Sequence, residues 1–393
     1  MTRTAKTVVV LGAGAGGLTA AERLRANLPG TDRVVLIDRS FTVSSGLSAL
    51  GVLRGLHTPA EVTAAVGAAA LPGVELRTGE VTGIDPDAKR VLLAAGDPVG
   101  YDALVIALGA VLDTAALPGL DAAIAAGVAG QFYTPEGAAA LHRGVDQLST
   151  GRVVVLVPPP PFKCPPAPYE AAFRIADQLG ARFTDGAVRV DVITAEPRPV
   201  PVVSPGVGTG LVDLLEQTGI GFTAQRTVTA VDAATCTLTF ADGGTERFDL
   251  LATVPPHRSP VADLLPGAVN PGGWLPVDGT TLATGLPGVW AIGDVAALLL
   301  ADGKPAPKAG FIAESGGRTV ADQVARHLGY DVPDTRLTAV GGCIVVVGDG
   351  VAAKVAGDFL AAPAPDVALL APDTGFYDEK LELEQSWLAR WGA

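Results

Sequence analysis

No stretch of the 393-residue chain is long and apolar enough to read as a membrane span. No charge-free segment is longer than Gly279 to Gly293, which holds Pro287 and several glycines, whereas a spanning helix needs about 20 mostly apolar residues. Cysteine is scarce: only Cys164, Cys236 and Cys343 occur, and so odd and sparse a set excludes a disulfide-framed secreted scaffold. Positive charge is outweighed, with 28 Lys and Arg against 41 Asp and Glu for a net charge of −13. Nucleic acid is therefore not expected as a partner, and membrane contact is expected to be at most peripheral. No apolar segment precedes Val8, so no export signal is expected and the cytoplasm is the default location. What is abundant excludes disorder: 48% of residues are hydrophobic and 18% charged. The 49 glycines and 31 prolines indicate many tight turns, and the length suggests two or three domains.

The chain opens with an apolar strand at Val8 to Leu11, a glycine-rich turn, a helix over Leu18 to Leu28, a second strand at Val34 to Ile37, and Asp38. A second strand–helix–strand unit follows, with Val153 to Val157, Tyr169 to Leu179 and Val188 to Thr194. Hairpin-like pieces lie after each unit: Val74 to Arg77, Val81 to Ile84 and Arg90 to Leu93, then Val228 to Val231, Thr235 to Phe240 and Glu246 to Asp249. Each set leads into an apolar strand, Leu104 to Leu108 or Leu250 to Val254. The approximate repeat, of about 140 residues, predicts two related nucleotide-type domains. A late strand, Val289 to Ile292, precedes Gly293 and Asp294. The tail after Leu328 predicts a strand at Ala339 to Val347 and a last helix from Tyr377.

Gly12, Gly14 and Gly17 have the spacing of a dinucleotide cradle. The first glycine allows the tight turn, the second admits a pyrophosphate to the backbone, and the third lets helix pack on strand. The helix N-terminus offers N–H donors to the anion, and Asp38, with Arg39 beside it, suits the ribose. The late Gly293-Asp294 pair resembles that of the two-dinucleotide-domain flavoproteins. The resemblance implies that Asp294 holds the flavin ribityl chain, that the Val81 backbone meets the adenine, and that the strand running to Gly109 is their mid-chain strand.

After Val157 a second such cradle would need glycines, but seven prolines lie between Pro158 and Pro168. Proline has no N–H to donate, so a nicotinamide dinucleotide is not expected there, although Glu196 stands where a ribose-binding acid would lie. Instead the chain reads Lys163-Cys164-Pro165-Pro166-Ala167-Pro168-Tyr169-Glu170. This octapeptide resembles the signature of sulfide:quinone oxidoreductases and of the flavoprotein subunit of flavocytochrome c sulfide dehydrogenase. The likeness continues at Val254 to Arg258, at Gly272 to Asp278 and at Pro307 to Gly310. It implies a redox disulfide between Cys164 and Cys343 over the flavin. It also implies a proton-handling carboxylate at Glu170 and a lysine, Lys308, near the flavin pyrimidine ring, where its charge favours the reduced form. Lys163 and the helix near Tyr169 are expected to favour a Cys164 thiolate.

The chain also departs from those families. No cysteine precedes Cys164, so the third cysteine common in quinone-reducing members is missing. Phe41 to Leu47 offers only hydroxyls where the covalent flavin cysteine would lie, so FAD is expected to be noncovalent. Histidines near the active site of quinone-reducing members are not evident around Tyr133 or Arg198. Cys236 reads as a small core residue, His257 as structural, and His57, His142 and His327 as surface or helix residues. The last helix is expected to dock on its own chain or a dimer mate rather than on lipid, since Asp378, Glu379, Glu382 and Glu384 repel anionic headgroups.

The expected fold is α/β, with two Rossmann-like dinucleotide-binding domains, antiparallel hairpin insertions and a small C-terminal α+β region. An FAD domain is expected over 1–110 and 245–327, a cysteine-bearing domain over 111–244 and the C-terminal region over 328–393. The expected activity is FAD-dependent oxidation of sulfide or a persulfide, with electrons passed to a quinone or small redox protein; a homodimer is left open. No metal is expected. Two rivals stand: an NAD(P)H-dependent flavin reductase of the NADH:quinone type, and a non-catalytic flavin-bound redox sensor or scaffold.

Overall fold

A computed structural model describes residues 4–46 and 48–392; Leu47, the last residue of the segment read as lacking a flavin-linking cysteine, lies outside them, as do the first three residues and Ala393. Two five-stranded parallel sheets form its centre. The first runs Val289–Ala291, Ala103–Ile106, Thr7–Leu11, Arg33–Asp38, Glu75–Thr78. The second runs Ala129–Gln131, Leu250–Thr253, Gly151–Val157, Val188–Thr194, Gly221–Thr223. Strands covered on both faces need unbroken apolar runs, and Val8 to Leu11 and Val153 to Val157 are wholly buried. Each unit carries a three-stranded antiparallel sheet, Val81–Asp85 with Arg90–Leu93 and Val99–Gly100, and Val228–Asp232 with Thr237–Phe240 and Thr245–Arg247.

Two expectations change. The segment at Val74 to Arg77, read as a hairpin piece, is realised as Glu75–Thr78, a parallel edge strand of the first sheet. The return to the first unit does not come at residue 245: Thr245–Arg247 completes the second unit's hairpin sheet, and Leu250–Thr253 sits inside its parallel sheet. The crossing follows, where His257–Arg258 pairs antiparallel with Val111–Leu112.

Helix Gly310–His327 lies against helix Ala15–Asn27, and small residues allow it: a Cβ on Gly317 would stand 2.5 Å from the Gly16 carbonyl oxygen. Asp322, fully buried, fixes their register by accepting 2.7 Å hydrogen bonds from Arg23 Nε and Nη2 and from Asn27. The C-terminal piece is a three-stranded antiparallel sheet, Val340–Gly348, Val351–Asp358 and Asp366–Asp373, followed by helix Thr374–Trp391. Its first strand packs on helix Ala167–Leu179 and thereby brings Cys343 to the second unit. Among the described residues no helix is long and apolar enough to cross a membrane.

Candidate active site

The glycine cradle has the division of labour its spacing predicts. Gly12 has φ +97°, and a Cβ there would meet the Ala107 carbonyl oxygen at 2.4 Å; one on Gly17 would meet the Gly12 carbonyl oxygen at 1.9 Å. Gly14 is exposed, and a Cβ there meets nothing within 4 Å. Two glycines are thus demanded by the chain's own packing, and the third faces free space, as a site for a dinucleotide requires. Asp38 Oδ2 accepts from the Ala13 N–H at 2.9 Å, and Oδ1 accepts from Ser40 and Phe41 at 3.0 Å. Arg39 is exposed beside it. The Gly79 N–H donates to the Asp38 carbonyl, which carries Val81 to the same end of the sheet. Gly109, at φ +67°, follows Ala107 along the opposite wall.

Gly293 and Asp294 form a short turn after the Val289–Ala291 strand, with Ile292 as its cap residue. Lys308 reaches them: its Nζ donates to the Asp294 carbonyl and lies 3.6 Å from the Trp274 ring centroid. Burial pushes the Lys308 ammonium down to about 8, opposed by the Asp294 charge. A cavity opens here, walled by Gly293, Pro307, Lys308, Ala309 and Ala313. These residues fit the flavin dinucleotide that the resemblance implies: an open glycine, an acid at the ribose end and a half-buried cation at the far end.

The cysteine loop is joined to this region through the main chain. The Cys164 N–H donates to the Lys308 carbonyl at 2.7 Å, and Lys163 and Lys308 form a parallel bridge. Cys164 takes φ +52°, a left-handed conformation that a non-glycine residue rarely adopts. Cys164 and Cys343, 179 residues apart in sequence, meet as free thiols joined by a hydrogen bond. That bond is the main reason the Cys164 thiol is held below its usual range; burial opposes it, Glu170 opposes it, and Lys380 and the Ala167 N–H assist. Donating the bond raises Cys343 well above its usual range, and burial adds to that.

Lys163 differs from expectation, and Lys380, Glu384 and Tyr133 were missed. The cation acting on Cys164 is Lys380, from the C-terminal helix, whereas Lys163 Nζ lies 5.8 Å from the Tyr133 ring centroid. Glu170 is buried and accepts a hydrogen bond from Lys380 Nζ, with Arg174 Nε at 3.6 Å. The acids of the last helix were weighed only against lipid, and Lys380 was not singled out, yet Lys380 and Glu384 are its buried side chains together with Trp391. A helical pattern with apolar residues on one face gave no signal for this, because the partners lie some two hundred residues upstream. Tyr133 was also missed: its Oη, like His257 Nε2, is buried without a hydrogen-bond partner among the described residues. The two rings meet edge-on at 5.2 Å, and burial lowers His257 to about 4. Such orphaned polar atoms are ones a bound polar ring can satisfy. Cys236 lies far from this site, in the second hairpin cluster.

The second unit's acid is closed off. Glu196 accepts a 2.7 Å hydrogen bond from Tyr169 Oη, and burial raises it to about 7.

Residues 6–156 match the pyridine nucleotide-disulphide oxidoreductase family, and residues 138–255 match the central part of the flavoprotein chain of sulfide dehydrogenase (flavocytochrome c). The mitochondrial sulfide:quinone oxidoreductase of Mus musculus is 23% identical over 313 residues, 73% of this chain and 65% of the relative. The chain therefore spans about two thirds of that relative's length, just short of that fraction. The solved sulfide:quinone oxidoreductase of Aquifex aeolicus superposes with a TM-score of 0.84 at 24% identity, over 99% of this chain and 92% of the other. The NAD-dependent persulfide reductase of A. fulgidus gives a TM-score of 0.64 at 21% identity, over 89% and 63%.

Proposed function

We propose that the chain is a sulfide-dehydrogenase-like flavoprotein with FAD as its cofactor, and that it oxidises sulfide or a low-molecular persulfide through Cys164 and Cys343. The observation that supports this reading is the thiol–thiol contact beside Lys308. Oxidised, the pair is a disulfide. Hydrosulfide attacks Cys343 Sγ, the Sγ–Sγ bond breaks, and Cys164 leaves as thiolate while Cys343 carries the persulfide. Cys164 leaves as thiolate because Lys380 and the Ala167 N–H favour its charged form. The outer sulfur then passes to a thiolate acceptor, leaving both cysteines reduced. FAD held beside the pair would supply the two-electron acceptor that re-forming the disulfide requires, with a quinone or small redox protein as the final acceptor. Lys308 supplies positive charge to the pyrimidine end, and Asp38 and the cradle hold the dinucleotide. The electron acceptor, the disulfide itself, a cytoplasmic location and any dimer belong to this reading.

Anaerobic titration of the FAD-bound protein with sulfide tests it. Bleaching of the flavin band by sulfide is expected, with one flavin reduced per sulfide. Bleaching by NADH and not by sulfide overturns it. The prolines after Val157 and the capped Glu196 speak against the nicotinamide route.

A further inference from the structure

Behind the two thiols lies a cluster of buried charge that the scheme above does not use. Glu170 and Arg174 come from helix Ala167–Leu179, Lys380 and Glu384 from helix Thr374–Trp391, and each is less than a tenth exposed. Burying ions costs several kcal/mol per charge unless they are well paired. Glu170 and Lys380 pair directly, and Arg174 adds a second positive charge at 3.6 Å. Glu384 then supplies a second carboxylate, which burial raises; Lys380, His57 and Arg174 oppose the rise and Glu170 adds to it. Its Oε2 lies 4.0 Å from Nε2 of His57, whose side chain is 35% exposed. His57 thus marks the exposed side of the cluster, and Glu384 lies one helical turn from Lys380. The charges of Glu170 and Lys380 act on both Cys164 and Cys343.

Counting charge shows what the cluster favours. Lys380 and Arg174 carry two positive charges against the single negative charge of Glu170. One further negative charge is accommodated, either on the Cys164 sulfur or on Glu384. Other neighbours are already paired: Lys354 with Glu379 on the sheet beside the last helix, and Arg54 with Asp177 across helix Ala167–Leu179. Glu61 acts with its own Thr58 cap, beside His57.

We propose that Glu384 is a positioning residue that competes with Cys164 for one negative charge beside the Glu170–Lys380 pair, so that a proton taken up by one is given up by the other. The exchange converts the Cys164 thiol and the Glu384 carboxylate into a Cys164 thiolate and a Glu384 carboxylic acid. No electron moves, and the net charge of the cluster is unchanged. When the disulfide re-forms, the negative charge leaves Cys164 and returns to Glu384. This rests on the reading of Cys164 as the working thiolate.

The test is the rate of Cys164 alkylation by iodoacetamide against pH, in the reduced FAD-bound protein, with the labelled cysteine identified by mass spectrometry. Two titration steps are expected in the native protein, since interacting groups titrate as a pair. Glu384→Gln is expected to collapse them to one step at lower pH, with labelling at neutral pH roughly three- to ten-fold faster. Glu384→Asp is expected to restore two steps. A Glu384→Gln profile that superimposes on the native one overturns the proposal. Lys380→Met is expected to slow labelling about ten-fold. If that variant does not fold, Glu170→Gln with Lys380→Met, which leaves neither member of the pair charged, carries the same readout, and native-like labelling in it overturns the proposal. The measurement is independent of substrate. A protein that sulfide fails to bleach, but whose thiolate depends on Glu384, loses the sulfide reading and keeps this one.

Discussion

The two parallel-sheet units share strand count, strand direction, a central glycine- or proline-bearing loop and a three-stranded antiparallel companion. They differ at one loop and one acid. In the first unit the loop after Thr7–Leu11 keeps Gly14 open, and Asp38 faces the loop through the Ala13 N–H. In the second the loop after Gly151–Val157 is closed by prolines without donors, and Glu196 is covered by Tyr169. The scaffold that presents phosphate-binding N–H groups in one unit presents a thiol in the other. A sheet and helix fix where a loop starts, and the residues of the loop decide what it can bind.

The sharpest way to break this contrast is to remove the sulfur. Cys164→Ser is expected to lower the rate of flavin reduction by sulfide at least about 1,000-fold with FAD content unchanged, by stopped-flow absorbance. Next comes the open glycine. A Cβ on Gly14 clashes with nothing in the chain, so Gly14→Ala is expected to fold yet hold FAD about 10- to 100-fold more weakly, in a fluorescence titration of the apoprotein. Pro159→Gly in the other loop is expected to leave FAD affinity unchanged and to gain no NADH reactivity, because one glycine restores neither the turn nor the donors. Lys308→Met is expected to slow flavin reduction about ten-fold and to lower the flavin midpoint potential, by spectroelectrochemistry.

The covered acid gives a smaller effect. Glu196 holds its proton more tightly folded, at about 7, than unfolded, near 4.5. Its contribution to stability is therefore fully present below pH 4.5 and is lost as pH rises through 7. Glu196→Gln is expected to flatten that decline, by on the order of 1–3 kcal/mol between pH 5 and pH 8 in urea unfolding. Cys236→Ser is expected to change neither sulfide reactivity nor FAD content.

Much of this was legible in the residues. The glycine spacing, the apolar strands and the prolines around Cys164 each carry a local backbone requirement, and local requirements can be read along a chain. The buried cluster was not legible, because Lys380 and Glu384 look like any solvated helix charges until Glu170 and Arg174 meet them across the fold. The direction of Lys163 failed for a related reason: adjacency in sequence does not set where a long side chain points. The point at which the chain leaves the second unit was misplaced because Leu250–Thr253 is apolar enough to serve either sheet.

The backbone bridge between Lys163 and Lys308 couples more than two residues. Lys308 also holds the Asp294 carbonyl, so the proline-rich loop is fastened to the cofactor half even though its strand and helix belong to the other half. Should the halves rock apart to admit a bulky acceptor, the sulfur would stay with the half it is stitched to, and the strain would fall on the stem of the loop.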